Sequence, residues 1–102
     1  MAPEPDSAAV EAALAAQLHD GERYRPFGEL TGADVAGQAE RMGDLQGWGP
    51  LDRVRPIAET WRALARELAD GDAQTVADLP GGTVVDYASR LWLTEPPGGL
   101  IK

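Results

Sequence analysis

His19 is the only imidazole in this chain of 102 residues, and there is no cysteine. One His and no thiolate cannot assemble a zinc site, a Cys–His nucleophile or a disulfide. A Ser-His-Asp arrangement would have to recruit Ser7 or Ser89 and hold it against His19. His19 is expected at the end of the first helix, where the helix dipole favours a cation, and no catalytic role is assigned to it. The 17 acidic residues offer carboxylates for Mg²⁺ or Ca²⁺. Their spacing contains no D-x-[DN]-x-[DN]-G loop, and Asp70-Gly71-Asp72 reads as a helix stop. Gly81-Gly82 has no following Lys and is too short for a phosphate loop. No metal, cofactor or catalytic residue is therefore expected.

What remains is surface chemistry. Arg53, Arg55, Arg62 and Arg66 are opposed between residues 48 and 66 only by Asp52 and Glu59. The plain reading of that row is a solvated helix face with Glu59 paired to Arg55 or Arg62. The functional reading is a docking row for an acidic partner, with Trp48 at its edge. Arg23, Tyr24 and Arg25 divide in the same way. Either the Arg side chains point outward while Phe27 and Leu30 close the core, or the three form a recognition patch of the residue types that dominate interfaces. The candidate partner-binding set is Trp48, Arg53, Arg55, Tyr24 and Arg25.

Net charge constrains the partner. Seventeen acids against nine bases leave −8, and nine of those acids lie in the first fifty residues. Such a surface repels phosphate backbones and anionic lipid, which argues against nucleic acid and membranes as partners. No apolar run approaches the roughly 20 residues of a membrane span, and MAPEPDSAAVEAALAAQ does not read as a signal peptide. The expected location is cytoplasmic. Asp6-Ser7 is similar to the modifiable serine motif of acyl carrier proteins, but Ala8 follows it and no helix precedes it, so the resemblance is not adopted.

The elements that must position these residues read as helices. The stretch from Trp48 to Gly71 carries the clearest pattern. On a wheel of about 100° per residue, Trp61, Leu64, Ala65 and Leu68 gather near Ile57, while Arg55, Glu59, Arg62 and Arg66 lie opposite. Trp61 is expected at the centre of the core. Pro56 predicts a kink there, or two pieces meeting near Arg55. Asp6 or Ser7 caps a first helix to about His19 on Val10, Leu14 and Leu18, and ERYRPFGEL follows as a loop. Thr31 with Asp34 starts a second helix, carrying Val35, Ala39, Met42 and Leu45 and ending at Gly47. The same T-x-x-D pattern recurs at Thr75–Asp78 and Thr83–Asp86. TVVDYASRLWL fits helix or strand, and helix is preferred because an isolated strand has nothing to pair with. Leu100 and Ile101 are expected to fold back on the body.

The expected fold is thus all-α, a small bundle of four to five helices with a proline-interrupted central helix. Residues 1–5 and 96–102 would be tails on a single helical domain over 6–95. The expected function is an accessory, adaptor or regulatory protein-interaction module without catalysis, binding another protein or itself. Two alternatives stand beside it: a small-molecule-binding helical protein or modest acid–base enzyme, and an acidic decoy of a nucleic-acid-binding protein.

Overall fold

The computed structural model describes residues 5–20, 23–43, 51–92 and 100–101, with backbone alone at 20, 43, 51–54 and 101. The element order is α1 (Ser7–Ala15), β1 (Gln17–Asp20), β2 (Arg23–Pro26), α2 (Gly32–Gly43), α3 (Leu51–Asp70), α4 (Gly81–Leu91) and β3 (Leu100–Ile101). Single 3₁₀ turns occupy Phe27–Glu29 and Val76–Asp78. The protein is therefore mostly helical but not all-α. Four α-helices stand among the described residues, beside a small antiparallel sheet ordered β2-β1-β3.

α1 begins as expected, with the Asp6 carboxylate accepting from the Ala9 amide at 2.7 Å. It ends four residues short of the expected boundary. The Ala16 carbonyl accepts from the Phe27 amide at 2.6 Å, and Leu18 pairs with Arg25 on one side and Leu100 on the other. An alanine-rich sequence prefers helix by only a few tenths of a kcal/mol per residue, which a two-sided ladder and the burial of Leu18 outweigh. The expected loop is thus half strand: β2 runs from Arg23, and Phe27 and Leu30 turn into the core, both wholly buried.

α2 starts on the reciprocal cap read from Thr31 and Asp34. Asp34 Oδ2 accepts from the Thr31 amide at 2.9 Å, and Thr31 Oγ1 accepts from the Asp34 amide at 3.2 Å. Val35, Ala39 and Met42 form its buried stripe; Leu45 and Gly47 lie outside the described residues. That stripe packs on α3, where Ala58, Trp61, Leu64 and Leu68 are buried and Ile57 and Ala65 are packed against them. Trp61 is wholly buried, its ring meeting Phe27 edge-on with centroids 6.2 Å apart.

α3 is one continuous helix through Pro56 and not two pieces meeting near Arg55. Proline removes a single amide, the one that would bond the carbonyl of residue 52. Pro56 sits on the exposed side of the helix, where such a carbonyl can turn to water. Thr60 Oγ1 donates to the Pro56 carbonyl at 2.8 Å, tying the next turn.

The helix ends in a Schellman motif. The Ala73 amide donates to the Leu68 carbonyl at 3.0 Å and the Asp72 amide to the Ala69 carbonyl at 3.3 Å. Asp72, not Gly71, takes the left-handed conformation, at φ 53°.

Thr75 and Asp78 form a second reciprocal cap, and the Val76 amide donates to the Leu30 carbonyl at 3.0 Å. TVVDYASRLWL is helical as preferred as far as Leu91, with Val84, Tyr87, Ala88 and Leu91 buried; Leu93 lies outside the described residues and Trp92 caps the helix. Its start is Pro80 and not Thr83, so the third T-x-x-D is not a cap; Asp86 instead pairs with Arg90 one turn on at 2.8 Å. Leu100 folds back as expected, and is wholly buried.

Candidate functional site

The β1–β2 hairpin sorts its side chains by strand alternation. Leu18 is opposite Arg25, and His19 is opposite Tyr24. Successive residues of a strand face opposite sides, so Leu18 and Arg25 point one way while His19 and Tyr24 point the other. Tyr24 and Arg25, adjacent in the sequence and read as one patch, are therefore separated by the thickness of the sheet.

On the outer side, Tyr24 is 54% exposed. Its ring meets His19 edge-on, with centroids 5.2 Å apart at 73°. His19 lies in β1 and not at a helix terminus, which removes the dipole argument made for it. Arg23 is exposed on the same strand, on the face of Arg25 and not of Tyr24.

On the inner side, Arg25 reaches α2. Its Nη1 lies 2.9 Å from Asp34 Oδ1, and its Nη2 donates to Asp34 Oδ2 at 3.0 Å. This is the bidentate fork that a guanidinium makes with a carboxylate. The Arg25 bond, then the Thr31 amide, hold the Asp34 carboxyl down to a pKa of about 2, against a smaller opposing effect of burial. Asp34 is thus ionised through the physiological range.

Further along α2, Arg41 Nη2 donates to Gln38 Oε1 at 2.6 Å. Gln38 is 1% exposed, a polar side chain set inside the core boundary. Leu18, Arg25, Ala33, Asp34, Gly37 and Arg41 line an open cleft of about 360 Å³ between the hairpin and α2.

α3 carries the remaining expected contacts. Arg55, Arg62 and Arg66 are exposed beside an exposed Glu59, on the side opposite Trp61. No ion pair joins Glu59 to Arg55 or Arg62 among the described residues. Trp48 and the side chain of Arg53 lie outside the described residues.

Comparison with protein-family models, curated proteins and solved structures gives no match for this chain. Its chemistry rests on its own side chains. Among the described residues no three His, Asp or Glu side chains gather as metal ligands would. No helix among them is long and apolar enough to cross a membrane.

Asp34 is legible in the sequence as the cap of α2, whereas Arg41 and Gln38 carry no motif that marks them. One signal for the cleft was present: Ala33 and Gly37, one turn apart and off the core stripe, leave the outer side of α2 without bulk.

Proposed function

We propose that this protein is a small interaction module that binds another protein, or a second copy of itself, without catalytic chemistry of its own. The observation that carries this reading is Tyr24. It is the one large apolar side chain exposed among the described residues, and it stands on the paired strands β1 and β2. Tyrosine supplies a broad contact with few rotatable bonds and a hydroxyl that stays satisfied at a wet rim, so it is enriched where proteins meet. The exposed Arg55, Arg62 and Arg66 of α3 favour an acidic partner over nucleic acid, which the overall charge of −8 repels. Arg25 is not part of this contact, because its fork is taken up by Asp34.

The test is affinity capture of the tagged protein from its native lysate at low and high salt, with Tyr24→Ala and Arg55→Ala run in parallel. A stoichiometric partner lost in Tyr24→Ala, at unchanged melting temperature, supports the reading. A partner retained equally by Tyr24→Ala removes the hairpin from the contact.

A further inference from the structure

We infer that the partner reaches this protein as an extended acidic segment, which adds a strand along the free edge of β2 with an apolar residue across from Tyr24 and an acid across from Arg23. The inference rests on the reading of Tyr24 as a contact and names what Tyr24 meets.

In the sheet order β2-β1-β3, β2 has β1 on one side and no strand on the other. The Phe27 amide donates to the Ala16 carbonyl at 2.6 Å, and this bond continues the register that sets Leu18 opposite Arg25 and Asp20 opposite Arg23. Bonded and non-bonded pairs alternate along an antiparallel ladder. Arg23, Arg25 and Phe27 therefore turn their backbone groups to β1, while the amide and carbonyl of Tyr24 and the carbonyl of Pro26 point away from it. Proline fits at this place because the amide it lacks would face away from the ladder. Among the described residues nothing bonds to the Tyr24 backbone.

Tyr24 is exposed on one face of β2 and Arg23 on the other. A partner laid on either face meets one and misses the other. A strand set beside β2 alternates its own side chains in the same way, so consecutive residues meet Tyr24 and Arg23 in turn. One residue of that strand exchanges two backbone bonds with Tyr24, and the Pro26 carbonyl accepts a third. Pro26 offers no donor, which ends the added ladder on that side.

Charge selects the occupant. An acid across from Arg23 makes an opposite-charge pair between strands, and a β-branched residue suits the place across from the Tyr24 ring. A second copy of this chain, paired about Tyr24 on a two-fold axis, would bring Arg25 to the place where the acid is wanted. The edge therefore fits an acidic segment of another protein. Arg25 stays with Asp34 and takes no part.

The experiment titrates the full ¹⁵N-labelled chain with the capped pentapeptide acetyl-Val-Thr-Val-Glu-Val-amide, whose central valine matches Tyr24 and whose glutamate matches Arg23 in an antiparallel pairing. The Tyr24 amide should shift saturably, with a midpoint on the order of millimolar, and its hydrogen exchange should slow by at least about fivefold at saturation. A peptide N-methylated at the central valine keeps every side chain and loses the donor to the Tyr24 carbonyl; it should bind at least about tenfold more weakly. Lysine in place of the glutamate should weaken binding by about threefold, and Arg23→Glu should reverse that preference. Equal binding of the N-methylated peptide, or an unshifted Tyr24 amide, would overturn the proposal. So would slowing of Tyr24 exchange with protein concentration alone, which makes a second copy the occupant. A partner captured from lysate through Tyr24, while the peptide leaves the Tyr24 amide unprotected, would overturn the added strand and leave the contact at Tyr24 standing.

Discussion

Asp34 joins the hairpin to α2 by holding Arg25 at 2.9 and 3.0 Å while the same carboxylate accepts from the Thr31 amide at 2.9 Å. One side chain both caps a helix and fixes the angle at which the sheet meets it. The link runs from a local signal, T-x-x-D, to tertiary position.

Removing that charge should be measurable. The Asp34 pKa is lowered from 3.8 to about 2 in the folded protein. A depressed acid stabilises the fold fully above its unfolded pKa and loses that contribution as pH falls through the folded one, here between 3.8 and about 2. Asp34→Asn should cost about 1–2 kcal/mol at pH 7, less than a full conversion of the shift because the pair is partly screened by water. Urea unfolding at stepped pH should show wild type converging on the mutant below pH 4. A constant difference between the two down to about pH 2 would show that the charge is not what matters.

Trp61 is wholly buried, and its Nε1 has no acceptor among the described residues. Trp61→Ala should lose about 3–5 kcal/mol, enough to unfold a marginal domain. Trp61→Phe should lose distinctly less, because it keeps most of the ring and removes a buried donor. A Trp61→Ala protein that melts like wild type would place Trp61 outside the core.

Pro56 interrupts the bonding of α3 without ending the helix. Pro56→Ala should raise stability by about 1–3 kcal/mol, since it restores one amide and relieves crowding in a helix that already continues on both sides. Calorimetry of the two proteins decides this. An unchanged melting temperature would mean that the helix begins at Pro56 in solution, where proline costs nothing.

Asp72 occupies the left-handed position of the Schellman motif at φ 53° and sits at the negative end of the helix dipole. Asp72→Gly should remove both penalties and gain about 1 kcal/mol. A loss of stability in thermal melts would mean that the Asp72 side chain supports the turn.

Local patterns were legible wherever one helix face had to meet a core. Ile57, Trp61, Leu64 and Leu68 point inward because their spacing admits one face only, and Thr31 and Asp34 cap α2 through bonds made within four residues. Val84, Tyr87 and Leu91 form the buried face of a helix for the same reason. Pro56 misled because its rule is local, while the exposed side of α3 tolerates the lost bond.

The sheet and the cleft were decided elsewhere. Leu18 continues the helical spacing of Val10 and Leu14, and nothing near it in the chain announces a strand; its partners are Arg25 and Leu100, the latter more than eighty residues away. Once β1 and β2 pair, alternation sends Tyr24 to water and Arg25 to Asp34, dividing a tripeptide that reads as one patch. The amino-acid order by itself determined which faces are apolar, where helices are capped and which chemistries are missing. Only the tertiary structure decided that Arg25, Gly37 and Arg41 line one space, because that depends on pairing between distant segments, whose free energy no local spacing encodes.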